Sequence, residues 1–450
     1  MPSSFERQRG AVVVMVALSM LVLLALAGLV VDGGLAYLVK ARLNAAVDAA
    51  ALAGARAVTA GDNQTAQASN ARAAAADFFA ANMPDNYLLS KPELLRTDVS
   101  FDTGKVTIDV HAQAPMPVSL MQVLGFTELT PVASAQTIRK DLDMALVIDT
   151  SGSLSSSGPA VKAAARSFLN KFNVTQDRVG LVHFAYGAEI DEPIRQDARG
   201  FARATMLDKI DQYKFSGNTA SVEGMWQARN QLKSIPEKKR SSLRVIVFFS
   251  DGVPNALGTF LTFKKAPPCN QAGIIDVNGK GLYKLDNSVG QLISGCSVTR
   301  NGKLADTVGA LPDWYNAHND PANPNNPAGL EFPLVTNYPR QVTADLSTTI
   351  SMQRNIDRAA RNLPEAVAAK ARDEGIYVFT LGMGSDLKAK SGVDKEVGED
   401  VLKCMANVAD GPKHCYDDKK PVGMYCYAAT EAGLTPCFSR LASAILRISK

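Results

Sequence analysis

The stretch DMALVIDTSGS, residues 143–153, decides how the rest of the chain is read. Met144 to Ile148 form an apolar run of the kind that makes a strand buried on both faces of a sheet. The run then delivers Asp149, Ser151 and Ser153, one carboxylate and two hydroxyls spaced two apart. Oxygens in that pattern serve either a hard cation or a plain capped turn. The surrounding sequence has to choose between them.

Outward from this point, apolar strands alternate with amphipathic helices, the pattern of a largely parallel α/β sheet. GPAVKAAARSFLNKF (158–172) predicts a helix with Pro159 at its first position and Ser157 as its cap. DRVGLVHFAYG and AEIDEPI follow as strands and ASVEGMWQARNQLKSI as a helix. LRVIVFFSDG is a second fully apolar strand, ending in Asp251. EAVAAKARDEG and IYVFTLGMG make a later helix–strand pair, and the amphipathic TPCFSRLASAILRI closes the chain.

In sheets of this kind, ligands sit at the carboxyl ends of the strands. Asp149, Ser151 and Ser153 leave one such end, Asp251 leaves another, and the loop KFSGNTA brings Thr219 just before a helix. Each piece alone reads as a turn or an N-cap; their joint placement favours a cation. The five residues offer two carboxylates and three hydroxyls, a set that suits Mg²⁺, with Mn²⁺ or Ca²⁺ as substitutes. Two aspartates roughly neutralise the ion, so a further anionic ligand is still attracted.

Asp149-Thr150-Ser151-Gly152-Ser153, Thr219 and Asp251-Gly252 together resemble the metal-ion-dependent adhesion site of a von Willebrand factor A-type domain. The resemblance covers most of residues 141–450. It implies a doubly wound, Rossmann-like sheet in which the serines and the threonine ligate directly and the aspartates act directly or through water. It also implies an open coordination position that accepts a carboxylate from a partner protein. Asn218 departs from the pattern, standing where a glycine commonly precedes the threonine; the ligand is kept, but the loop geometry is in question.

From about 256 to 352 the α/β rhythm is lost. IIDVNGKGLYKL suggests a hairpin turning at Asn278-Gly279, while NDPANPNNPAG is irregular. This insertion follows Asp251 directly and therefore starts on the metal face. It is expected to overhang the site and shape what approaches, and its removal to leave cation affinity intact while changing partner binding. A loose surface excursion is the other reading.

The six cysteines include no CxxC pair, which favours disulfides and an oxidising compartment. About 15 connectivities are possible. Cys269 with Cys296 would brace the insertion, and Cys404 with Cys415 and Cys426 with Cys437 are the pairings expected in the tail. His414 beside Cys415 raises zinc as an alternative, without a paired ligand motif to support it.

At the N-terminus, AVVVMVALSMLVLLALAGLVV (11–31) carries no charge and only Ser19 as a polar side chain. At about 1.5 Å per helical residue such a run matches a bilayer core of about 30 Å. It is read as a spanning helix; Ala25-Leu26-Ala27 offers a signal-peptidase site as the competing reading. Arg7 and Arg9 before it nearly cancel Lys40 and Arg42 after it in setting orientation. The cysteines break the tie and put the bulk of the chain in the periplasm or at the cell surface. The helix is expected to continue beyond a flex point at Gly33-Gly34, and Asp32 to be an interfacial residue. The apolar span followed by VVDGGLAYLVKARLNAAVDAAALAGA resembles the N-terminal segment of TadE/TadG-type proteins of tight-adherence (Flp) pilus assembly. The glutamate of a processed type IV pilin is missing, which favours an assembly or surface accessory protein over a pilus subunit.

Residues 59–140 read as a small α+β connector: a helix over 70–83, a hairpin turning at Asp102-Thr103-Gly104, a short helix in PVSLMQVLGF and a further strand in ELTPVASAQTIRK. The expected organisation is therefore an anchor over 1–58, the connector, and an adhesion-type domain over 141–450. A net charge of +4 over 450 residues, with no long basic block, argues against a nucleic-acid partner. No GxSxG, P-loop or HExxH motif is present; His111 and His183 sit in strand patterns and read as structural. The functional expectation is a non-enzymatic adhesion or pilus-assembly accessory protein, tied to the membrane by its N-terminal helix. Its partners would be a carboxylate-bearing protein ligand and pilus-assembly proteins. The alternatives are a partner of an ATPase or chelatase-like complex, or a secreted hydrolase.

Overall fold

A computed structural model describes residues 9–58, 64–102, 105–263, 269–297 and 307–448. The chain divides between Arg139 and Lys140 into two compact units.

In the first unit, helix α1 (Arg9–Ala57) is continuous. The expected flex point at Gly33-Gly34 does not interrupt it: the helix runs through both glycines. From Val12 to Val31 the large apolar side chains are exposed, and the helix is long and apolar enough to cross a membrane. Beyond that run the pattern becomes one-sided: Val39, Leu43, Ala46, Val47 and Ala50 recur at helical spacing and are fully or almost fully buried. They pack on α2 (Gln64–Asn82) and on a three-stranded sheet of β1 (Glu93–Asp102), β2 (Lys105–Gln113) and β5 (Val132–Lys140). Strand β2 buries Val106, Ile108, Val110 and Ala112 and leaves the residues between them half-buried, as period-two alternation requires. Between β2 and β5 a short pair, β3 (Met116–Pro117) and β4 (Glu128–Leu129), carries a single 3-10 turn, Met121–Leu124. The strands β1 and β2 meet at Asp102 and Lys105; Thr103 and Gly104 of the expected turn lie outside the described residues.

The second unit is built on β6 (Leu142–Asp149), β7 (Arg178–Phe184), β8 (Ala188–Glu192) and β9 (Leu243–Ser250). Four strands of the insertion follow: β10 (Ala256–Thr259), β11 (Gly273–Asp276), β12 (Gly281–Tyr283) and β13 (Leu292–Ser297). Then come β14 (Tyr377–Met383), a minor pair β15 (Lys390–Ser391) and β16 (Glu396–Val397), and β17 (Met424–Ala428). The main sheet has the order β17-β14-β9-β6-β7-β8, parallel except for β8. Helices α3 (Gly158–Leu169), α4 (Arg203–Asp211) and α8 (Leu434–Ile448) cover one face. Helices α5 (Ser221–Ser234), α6 (Thr349–Asp373) and α7 (Gly398–Ala406) cover the other. All eight residues of β6 are buried, Leu146 and Ile148 toward the first layer and Ala145 and Val147 toward the second. That two-sided burial is why its sequence shows no alternation. From β6 the chain turns to β7 on one side, while β9 lies on the other, so the sheet's switch point lies at the carboxyl end of β6.

Two local expectations change. Ser157 does not cap α3 with its side chain; its backbone (φ −93°, ψ 1°) is turned away from the extended geometry that capping needs. The helix expected from Glu365 begins at Thr349, where Thr348 and Ser351 form a reciprocal capping box, and it runs through Pro364.

The described part of the insertion is a packed layer. Its four strands form an antiparallel sheet, with the β11–β12 hairpin turning at Asn278-Gly279. The irregular stretch that follows sends Leu311, Tyr315, Phe332, Leu334 and Val342 into the core shared with α5 and α6. Disulfides join Cys269 to Cys296, Cys404 to Cys415 and Cys426 to Cys437, the pairings expected from the sequence.

Candidate functional site

Asp149 ends β6 and is fully buried. Its Oδ1 accepts from the Ser151 amide at 2.7 Å and its Oδ2 from Ser250 Oγ at 2.5 Å. Ser151 Oγ is 3.2 Å from Ser153 Oγ, which in turn donates to Asp251 Oδ1 at 2.9 Å. Thr219 Oγ1 borders the same turn: a methyl group placed on Gly252 would lie 3.2 Å from it and 3.9 Å from Ser153 Oγ. The five oxygen-bearing residues picked from the sequence thus come from three loops and gather at the β6–β9 crevice.

Backbone bonds lace these loops together. Gly152 N donates to Gly217 O at 3.1 Å, and Ser216 N to Thr150 O at 2.9 Å. Thr219 N donates to Asn255 Oδ1 at 2.8 Å, and Asn255 N returns a bond to Thr219 O at 3.1 Å. Gly217 adopts φ +93° with the Tyr186 ring pressed against its Cα, so a side chain there meets both backbone strain and a clash. Asn218, the departure from the family pattern, donates through Nδ2 to Asp276 Oδ2 in the insertion. Asp276 Oδ1 also accepts from the amides of Asn278 and Gly279 at 3.0 and 2.9 Å. The hairpin therefore holds the residue before Thr219, a contact that bears on the expectation that the insertion can be removed without affecting the site.

Burial pushes the Asp149 carboxyl up to about 6, against the hydrogen bonds from Ser151 and Ser250. Burial, and then the charge of Asp149, push Asp251 up to about 7; Asp386, in the turn after β14, adds in the same direction. Two buried carboxyls that repel each other, set among hydroxyls, form a hard all-oxygen donor set. A divalent cation of the Mg²⁺ class fits it, since its charge relieves the repulsion that raises both groups.

Ser250 and Asp386 were not singled out in the sequence. Ile148 pairs with Phe249, which brings Ser250 level with Asp149; that register across about a hundred residues has no sequence signal.

One other cluster has the connectivity of a hydrolase. His183 Nδ1 is 2.8 Å from Asp191 Oδ2 and its Nε2 is 3.0 Å from Ser288 Oγ. Ser288 is 4% exposed, leaving no approach for a substrate carbonyl, and its hydroxyl donates to Glu189 Oε1 at 2.8 Å. The Tyr213 ring lies tilted against His183, and its hydroxyl donates to Asp191. The cluster is a satisfied buried network that ties the insertion to the edge strand β8.

Residues 144–253 match the family described as von Willebrand factor type A domain, and residues 10–57 match putative Flp pilus-assembly TadE/G-like. No curated protein sequence matches the chain. Among solved structures, the PilB minor pilin from Streptococcus sanguinis is 15% identical, with a TM-score of 0.37 over 80% of this chain and 79% of that one. The pilus adhesin SpaC from Lactobacillus rhamnosus GG is 14% identical, with a TM-score of 0.38 over 79% of this chain and 35% of that one. The vWF domain of the type V pili tip protein Mfa5 from Porphyromonas gingivalis is 15% identical, with a TM-score of 0.36 over 70% of this chain and 98% of that one. This chain carries a TadE/G-like segment at residues 10–57, followed by a von Willebrand factor type A domain matched over residues 144–253.

Proposed function

We propose that the protein is a membrane-anchored, non-enzymatic adhesion or pilus-assembly accessory protein whose A-type domain binds a protein partner through a divalent cation. The residues that would hold the ion are Asp149, Ser151, Ser153, Thr219 and Asp251. The observation that carries the reading is the unbroken run of contacts from buried Asp149 through Ser151 and Ser153 to Asp251, with Thr219 at the same turn. When bound, the cation supplies a Lewis-acidic position open to a partner's carboxylate. The protein's own part is to hold two desolvated carboxyls and three hydroxyls on laced loops, so that little reorganisation accompanies binding.

The exposed apolar run of α1 and the TadE/G-like match support a membrane anchor in a pilus-assembly setting. Three disulfides support an oxidising compartment for the second unit, hence the periplasm or the cell surface. The test is calorimetric titration of the full chain in detergent with Mg²⁺, Mn²⁺ and Ca²⁺, followed by protease treatment of intact cells and spheroplasts. Binding of none of the three ions overturns the cation reading. A second unit that stays protected until the inner membrane is broken would favour the cytoplasmic ATPase-partner alternative.

A further inference from the structure

Asp32 stands at the end of the apolar run of α1, yet it is only 1% exposed. Its carboxylate receives three successive backbone amides: Ser119 N at 3.1 Å on Oδ1, and Leu120 N at 2.9 Å and Met121 N at 2.7 Å on Oδ2. One helical turn back toward the membrane, Gly28 is also buried; a Cβ there would come within 3.0 Å of the Leu120 carbonyl carbon and the Met121 nitrogen. The arm between β3 and β4 is thus pinned flat against α1 over Gly28–Asp32, so closely that a side chain at residue 28 would push it outward. From Val118 to Thr127 the arm reads VSLMQVLGFT, with no charged residue. Past the buried Met121 it turns its apolar side chains outward: Val123, Leu124 and Phe126 are 47%, 50% and 48% exposed.

We propose that this arm is a second membrane-contact element, lying in the interfacial layer of the bilayer beside the anchor. The inference rests on the reading of residues 11–31 as a membrane span. If that run is embedded, the contact at Gly28 puts the arm about 5 Å inside its end, at about 1.5 Å per residue. Interfacial apolar elements bury themselves about 5–10 Å deep. Tyr37 and Lys40, one and two turns further out, have the amphipathic and cationic character of interface anchors. The lipid occupant follows from continuity: the exposed Val123, Leu124 and Phe126 adjoin a helix surface that is itself exposed and apolar from Val12 to Val31.

The test uses the full chain in vesicles of phosphatidylcholine and phosphatidylglycerol. A single cysteine at Leu124→Cys is labelled with an environment-sensitive fluorophore, the native cysteines being paired in disulfides. Ser100→Cys is the remote control: it is exposed near Val58, about 40 Å along the helix from Asp32. Leu21→Cys reports on the span itself. The expected result is quenching of the Leu124 label by lipids with a nitroxide high on the acyl chain, quenching of the Leu21 label by lipids with a deep nitroxide, and an unquenched Ser100 label. A Leu124 label that stays unquenched while Leu21 is quenched overturns this inference and leaves the anchor standing. If neither is quenched, the anchor reading fails and this inference fails with it.

Discussion

Ser153 Oγ and Asp251 Oδ1 are 2.9 Å apart across 98 residues of sequence. The contact closes the turn that follows β6, which holds Ser153, onto the residue that follows β9, so two loops leaving adjacent parallel strands are tied together.

Asp149→Ala removes the buried carboxylate that the Ser151 amide and the Ser250 hydroxyl donate to. Cation affinity is expected to fall at least about 10-fold while far-ultraviolet circular dichroism is kept. Calorimetric titration with Mg²⁺ checks this. Binding that survives in both Asp149→Ala and Asp251→Ala would remove the assigned ligand set.

The raised carboxyls set a pH dependence. Both groups have an ordinary value of 3.8 and are pushed up to about 6 and about 7 in the folded protein. As pH rises through that window the unfolded chain gives up its protons first, so in the absence of divalent ions these two groups lower stability. Urea midpoints compared with those of Asp251→Asn should show the wild type losing ground between about pH 4 and pH 7. Mg²⁺ affinity should move the opposite way and strengthen as pH rises, because the ion competes with these protons.

Gly217→Ala and Asp276→Ala should weaken cation binding without removing a ligand. The first forces a side chain into a left-handed backbone position against Tyr186. The second frees Asn218 and removes the carboxylate that the Asn278 amide donates to, while the Gly279 amide keeps its bond to the residue 276 carbonyl. For Asp276→Ala a stability loss of about 1–3 kcal/mol is expected from the unpaired groups. Affinity should drop about 10–100-fold, as for residues that orient ligands. An Asp276→Ala protein with wild-type affinity would show that the insertion does not hold the Thr219 loop.

The Cys426–Cys437 bridge ties the edge strand β17 to α8, which covers one face of the sheet. The double serine variant is expected to lose about 2–4 kcal/mol of stability. Chemical denaturation with and without reductant checks it, and reductant should no longer shift this bridge's contribution in the variant.

The sheet was legible because Met144–Ile148 in β6 and Val245–Phe249 in β9 are unbroken apolar runs, as strands covered on both faces are. The grouping of the proposed ligand oxygens was legible because their spacing places them just beyond the ends of such strands. What escaped depended on contacts between distant segments. Ser250 reaches Asp149 through strand register, and Asn218 is explained only once the hairpin carrying Asp276 lies beside it. At Gly33-Gly34, local composition suggested a joint, and the helix nonetheless continues through it. Asp32 seemed a bare interfacial charge, because nothing near it in sequence announces the three amides that arrive from Ser119 to Met121.

Because α1 passes without a break from its exposed apolar run into the packed residues Val39 to Ala55, it is a stiff mast and not a rope. With the run embedded, the first unit cannot swivel freely above the bilayer. If residues 11–31 are embedded as proposed, a pull on that unit would travel down the helix axis into the lipid, and the helix would carry load as well as fix location.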